Sequence, residues 1–195
     1  MRHWGFKAEG NNIFCACCAK AKGKQKGVSK APRAFSSKPG ERLYLDISSV
    51  DATSGGGNRY WAIVVDDYSR FKRSFFLRTK SGLTAVVLPY IKELQATGKP
   101  VRFVRMDNAG ENKVLGGQLR ELGIKVEYTA PNTPQQNGVA ERGFAMITAR
   151  GRAMMLHAQL SLELKQKLWA ECFQTATQLG NLLPIKRNGK LTTPY

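Results

Sequence analysis

Three short apolar runs between Arg42 and Leu77, parted by two turn signals, constrain this chain most. From Arg42 to Ser48, Leu43, Leu45 and Ile47 alternate with Tyr44, Asp46 and Ser48, the period of two that a strand imposes on its faces. Ser54-Gly55-Gly56-Gly57-Asn58 breaks the pattern as a turn. Tyr60 to Val65 is a strongly apolar second strand, Asp66 to Arg70 a short polar turn, and Phe71 to Leu77 a third strand. Short connections join antiparallel neighbours, so a three-stranded meander is expected.

The period then changes. Leu83, Val86, Val87, Tyr90, Ile91 and Leu94 recur at three and four, which predicts a helix over 82–97 that Pro89 interrupts. Pro100 precedes a strand from Val101 to Met106. Val114, Leu115, Leu119 and Leu122 predict a short helix closed by Gly123, and Lys125 to Thr129 a fifth strand. Ala130 to Gly138, rich in Pro, Asn, Gln and Thr, reads as a loop. A long helix follows, Gly138 to Gln159, with Ala140, Phe144, Ile147, Gly151, Met154 and Ala158 expected on its apolar face. Gly143 and Gly151 weaken its propensity. Ser161 is a suitable N-cap for a last helix, 162–180, expected to bury Leu164, Leu168, Trp169, Phe173, Ala176 and Leu179. The order implies an α/β layer fold with a mixed sheet. No run approaches the length of a membrane-spanning helix, and the N-terminus has no apolar stretch long enough for a signal peptide.

Charge narrows the function. The 195 residues hold 31 Lys and Arg against 14 Asp and Glu, a net charge of +17. Such a balance suits a nucleic-acid protein or an enzyme of acidic substrates, and suits a disordered or purely structural chain badly. Residues 1–45 carry 10 basic and 2 acidic groups, nearly half the excess. Lys20, Lys22, Lys24, Lys26, Lys30 and Arg33, interleaved with Gly, Ser and Pro, read as an extended basic arm. Such an arm either solubilises or contacts phosphates, the second favoured by release of condensed counterions. Four cysteines, three of them clustered at Cys15, Cys17 and Cys18, do not make a secreted disulfide framework and point to a reducing compartment. Cys15 and Cys18 have CxxC spacing, but alone they are half of a four-ligand zinc site. Cys172 is expected in the core, and His157 on the surface or in packing.

Three carboxylates stand out from the ordinary surface acids. Asp46 sits inside an apolar strand, Asp107 directly follows another, and Glu141 lies one turn into the long helix. The C-terminal end of a strand in an α/β sheet is a usual place for chemistry. In a basic protein the three suggest a cluster holding divalent metal, with hard oxygen ligands suited to Mg²⁺. Asp66 and Asp67 are also acidic neighbours, but a turn-capping role explains them.

Further motifs give the chain a family. Leu43-Tyr44-Leu45-Asp46, Val65-Asp66-Asp67-Tyr68-Ser69-Arg70, Met106-Asp107-Asn108-Ala109-Gly110-Glu111 and above all Thr133-Pro134-Gln135-Gln136-Asn137-Gly138-Val139-Ala140-Glu141-Arg142 resemble the integrase of Copia-type long-terminal-repeat retrotransposons. Trp169-Ala170-Glu171 through Asn181-Leu182-Leu183-Pro184 resembles the helix that follows the catalytic core. The resemblance implies a ribonuclease H-like fold, with a mixed five-stranded sheet flanked by helices. It implies Asp46, Asp107 and Glu141 as the catalytic, metal-binding set for two Mg²⁺ or Mn²⁺ ions. It also implies DNA integration, the metal-dependent transfer of a retroelement DNA 3′ end onto a target phosphodiester. The expected partners are retroelement DNA ends, target DNA and further copies of the chain, with no membrane. The expected location is the nucleus, after a cytoplasmic particle stage. Gln135, Asn137 and Arg142 are expected to place the DNA end, with Lys20, Lys22, Lys24, Lys26, Lys30 and Arg33 adding backbone contacts.

On this resemblance residues 1–40 are a remnant of an N-terminal zinc module with the basic arm, and 41–195 are the catalytic core with its C-terminal helix, expected to be truncated. Only His3 lies upstream of Cys15, so zinc is not expected to bind. The chain departs from the family in three places. Asp107 and Glu141 are separated by 33 residues, two fewer than the pattern. Ala109 replaces a usual glycine and would be strained if that position needs positive φ. Gly143-Phe144 replaces a polar pair and so removes a candidate DNA contact. A catalytically inactive DNA-binding relic is therefore the alternative to an active enzyme.

Overall fold

The computed structural model describes residues 36–129, 137–187 and 190–194, all within one compact unit, Ala34–Tyr195. Cys15, Cys18, Lys20, Lys22, Lys24, Lys26, Lys30, Arg33 and Gln135 lie outside the described residues. The main sheet has β1 (Arg42–Ser49), β2 (Tyr60–Asp66), β3 (Lys72–Leu77), β4 (Phe103–Met106) and β5 (Lys125–Tyr128), in the order β3-β2-β1-β4-β5. The expected meander is present: β1 pairs antiparallel with β2, and β2 with β3. β4 and β5 add in parallel on the other side of β1, which makes the sheet mixed. Helix α1 (Leu83–Ala96) leads into β4 and α2 (Gly110–Glu121) into β5, the crossovers that parallel strands require. Helices α3 (Gly138–His157) and α4 (Leu162–Leu182) follow, with a small hairpin, β6 (Ile185–Arg187) and β7 (Lys190–Thr192), that periodicity did not reveal. Together these elements form the ribonuclease H-like α/β fold expected from the resemblance. Among the described residues no helix is long and apolar enough to cross a membrane.

Strand alternation divides the interior into two cores. Leu43 and Leu45 point to one face, where Ala62, Val64, Leu83, Val87, Ile91, Leu115 and Leu119 join them beneath α1 and α2. Tyr44 points to the other, with Trp61, Ile63, Val65, Ile147, Trp169 and Phe173 beneath α3 and α4. Pro89 lies inside α1 on an exposed position, so the interruption does not end that helix. The short connection between Asp107 and Glu141 does not prevent α2 from docking, because Leu115 and Leu119 are fully buried and Leu122 is partly so. Gly123 closes it with φ of 74°, where glycine avoids the Cβ penalty.

The two long helices differ from expectation in which residues they bury. In α3 the buried line is Ala140, Gly143, Ile147, Gly151 and Met155, while Ala158 is exposed. The glycines are close-approach points: a Cβ on Gly143 would lie 3.0 Å from Ile63 Cδ1, and one on Gly151 would collide with the Phe173 ring. Phe144 turns inward edge-on against Trp61, with centroids 4.6 Å apart. In α4, Ser161 caps as expected, accepting from the Leu164 amide at 3.3 Å. Trp169, Phe173 and Ala176 are buried, but Leu164, Leu168 and Leu179 are exposed. Those leucines lie on a flank of the helix turned away from the sheet, beside the buried line of Trp169, Phe173, Ala176 and Gly180.

Candidate functional site

Parallel pairing of the central strands brings two of the three carboxylates together. Tyr44 of β1 is in register with Arg105 of β4. Continuing that register by two residues sets Asp46 beside Asp107, which directly follows β4. Arg105 lies over the Tyr44 ring at 5.9 Å, marking the shared face. Asp46 is also paired across β1 and β2 with Ile63, the residue against which Gly143 of α3 packs. Glu141 is two residues before Gly143, in the first turn of α3, and its side chain is exposed. All three carboxylates thus belong to the α3 and α4 side of the sheet.

Their electrostatic coupling is visible at Asp46. Its carboxyl is pushed up to about 6, first by burial and then by the negative charges of Asp107 and Glu141, against an opposing hydrogen bond. That bond is from the Ile47 amide to Asp46 Oδ1, at 2.9 Å. Asp107 Oδ1 accepts from the Ala109 amide at 3.2 Å and from the side-chain amide of Asn112. Asn112 is fully buried in α2, and sequence reasoning missed it because a lone Asn in a helix carries no signal. Ala109 has φ of −68° and ψ of 157°, extended backbone, so the expected strain at this position is absent. The Gly143-Phe144 pair also takes a different meaning: both positions face the sheet, so neither is a lost surface contact.

The remaining candidates separate. Arg142 is exposed beside Glu141. Asn137 is only 6% exposed at the start of α3, its Oδ1 is buried with no hydrogen-bond partner among the described residues, and it does not cap the helix through its side chain. Asp66 and Asp67 are turn residues, as expected. Asp66 accepts from the amides of Gly40, Tyr68 and Ser69, and Asp67 accepts from the Ser36 amide and hydroxyl. His157 is exposed, and Cys172 is partly buried against the second core.

The donor set suits a hard divalent cation in kind, since three carboxylates offer only oxygen and a cation would relieve the repulsion recorded at Asp46. In spacing the set is looser: among the described residues, no three His, Cys, Asp or Glu side chains stand close enough to form a ready group of ligands.

Comparison with known proteins places this arrangement. No protein-family model matches the chain. It is 34% identical over 146 residues, 73% of its length, to the retrovirus-related Pol polyprotein from transposon TNT 1-94 of Nicotiana tabacum. It is 31% and 28% identical, each over 76% of its length, to those from transposons RE2 and RE1 of Arabidopsis thaliana. The chain spans 10–11% of the length of these relatives. A chain of the simian T-cell lymphotropic virus intasome, solved in complex with PP2A regulatory subunit B56 gamma, shares the fold. Its TM-score is 0.67 and its identity 16%, covering 92% of this chain and 61% of that one. The chain is thus homologous to a segment of the retrovirus-related Pol polyproteins of Copia-type long-terminal-repeat retrotransposons and shares its fold with a chain of a retroviral intasome, which together support a retroelement integrase.

Proposed function

We propose that this segment joins a retroelement DNA end to target DNA, with Asp46, Asp107 and Glu141 as the catalytic carboxylates. The observation that carries the reading is the strand register that sets Asp46 beside Asp107, with Glu141 on the helix packed over the same face; the raised carboxyl of Asp46 agrees with it. The three carboxylates would hold Mg²⁺ or Mn²⁺. Bound ions supply charge stabilisation for the attacking and leaving oxygens of an in-line displacement. In the reaction a donor 3′ oxygen forms a new bond to the target phosphorus, its proton passes to solvent, and the old bond to the target's 3′ oxygen breaks. No protein nucleophile is needed. Asp46 and Asp107 sit on the rigid centre of the sheet, which limits their movement, while Glu141 adds the third charge from the helix. Arg142, exposed at the same turn, suits a DNA phosphate, and the basic segment Lys20–Arg33 suits further backbone contacts. Multimers, two DNA partners and work in the nucleus after a cytoplasmic particle stage complete the reading.

Two observations favour a second reading, a DNA-binding relic without activity. Asn112 occupies an oxygen of Asp107, and the carboxylates are not gathered into a ready group of ligands. Oligonucleotide strand transfer in Mg²⁺ and in Mn²⁺ separates the two. Joining by the wild type that Glu141→Gln abolishes, with duplex binding unchanged, is the expected result. Equal joining by both proteins rejects the assignment of the carboxylates, and binding without joining by either supports the relic.

A further inference from the structure

We propose that Lys72 and Arg150 form a second phosphate site, at the junction of β3, α3 and α4, and that its ligand is a backbone phosphate of DNA. The proposal rests on the reading above that the chain handles DNA. Three elements build the junction. Lys72 opens β3, the edge strand, and its main chain is clasped by Asn181 of α4: the Lys72 amide donates to Asn181 Oδ1 at 2.9 Å, and Asn181 Nδ2 donates to the Lys72 carbonyl at 2.8 Å. Arg150 reaches from α3 onto Gly180, the neighbour of Asn181, where a Cβ would have no room beside its guanidinium. Asn181 thus ties the Lys72 main chain to α4 next to the point where Arg150 packs, so the two cations share one junction.

Neither cation has an acidic partner among the described residues. Lys72 is 7% exposed, and its ammonium donates to the Arg70 carbonyl at 3.1 Å, leaving two of its three donors. Arg70, which faces Asp67 at 3.6 Å, adds a third positive charge nearby. Burial, Arg150 and Arg70 hold the Lys72 amine down to about 8, the expected consequence of crowding cations away from water. A buried charge without a counter-charge is costly, and a bound oxyanion would remove that cost. Lysine offers a point charge and arginine a planar fork, a pairing that suits a phosphate.

Position selects the ligand. Lys72 lies two strands from β1, in line with Tyr44, so it stands about 10 Å across the sheet from the Asp46 side. Arg150 is nine residues beyond Glu141 on α3, roughly 13 Å along its axis. On one DNA strand that is roughly four nucleotide steps. The junction is therefore within a few nucleotides' reach of DNA held at the carboxylates.

The test compares wild type, Lys72→Met, Arg150→Met and the control Lys92→Met, which lies exposed on α1 over the other face of the sheet. Lys72→Met removes a buried charge and keeps apolar bulk, so the fold is retained. Duplex DNA binding is measured at several salt concentrations, and inorganic phosphate is titrated while the Arg150 side-chain signal is followed by NMR. The expected result is a salt slope shallower by about one for each cation removed, unchanged in Lys92→Met, with the phosphate-induced Arg150 shift lost in Lys72→Met. Wild-type slopes in both junction variants overturn the site while leaving the DNA reading intact. A wild type that takes up phosphate at this junction but binds no duplex keeps the anion site and overturns its DNA ligand. A wild type that shows neither overturns both.

Discussion

The two faces of the central sheet have opposite chemistry. Beneath α1 and α2 the packing is mostly apolar, from Leu43 and Leu45 to Val87, Leu115 and Leu119, with the buried Asn112 of α2 turned to Asp107 at its edge. Beneath α3 and α4, Trp61, Ile63 and Phe173 share the interior with Lys72, Ser74, Thr177 and Asn181. The polar groups there are linked. Trp61 Nε1 donates to the Ser74 hydroxyl at 3.0 Å, and Thr177 donates to the Phe173 carbonyl at 2.7 Å. Thr177 has then used its proton, so Ser74 is the donor in their 2.8 Å contact. Asp46 and its neighbours stand on this same face. Both faces bury an apolar core, and the second also carries the charges and the linked hydrogen-bonding groups.

The largest effect should come from the apolar face. Leu119→Ala opens a cavity at a fully buried position and should destabilise the fold by about 2–5 kcal/mol in urea unfolding. A loss below about 1 kcal/mol would mean that this face does not dominate stability. On the polar face, Asn181→Leu keeps bulk but strands the Lys72 amide and carbonyl. About 1–3 kcal/mol should be lost in the same measurement. A neutral outcome would show that Asn181 does not tie α4 to the sheet edge.

Asp46→Asn should act in the opposite direction. The folded carboxyl titrates near 6, above the ordinary carboxylate value. Between about pH 4 and pH 6 the unfolded chain loses this proton first, so stability falls as pH rises and the loss is complete above the folded value. The variant lacks that loss. It should be more stable than wild type near pH 7 by about 1–2 kcal/mol, and equal to it below about pH 4; partial hydration of Asp46 keeps the gain below the full shift. Thermal unfolding across that range checks it, and a pH-independent difference would point to packing instead.

The contrast also explains what the sequence could reveal. The strands and helices were legible because periods of two and 3.6 persist whatever covers each face. The carboxylate positions were legible through their motifs. Partners were not. Leu164, Leu168 and Leu179 have helical spacing yet remain exposed, since spacing cannot say which flank of the helix its neighbours cover. Gly143 and Gly151 look like weak points in a helix but are the places where α3 comes closest to the sheet and to α4. The junction of Lys72 with Arg150 and Asn181 joins residues far apart in sequence, and the amide of Asn112 on Asp107, only five residues away, matches no recurring local pattern.

The central claim is that Asp46, Asp107 and Glu141 act as one electrostatic unit. NMR titration of the Asp46 carboxyl carbon tests it most directly, in wild type, Asp107→Asn and Glu141→Gln without added metal. The expected midpoint is about 6 in wild type and lower in each variant, because each removes one of the charges that raise it. A wild-type midpoint at the ordinary carboxylate value, or one that neither substitution moves, would contradict the account.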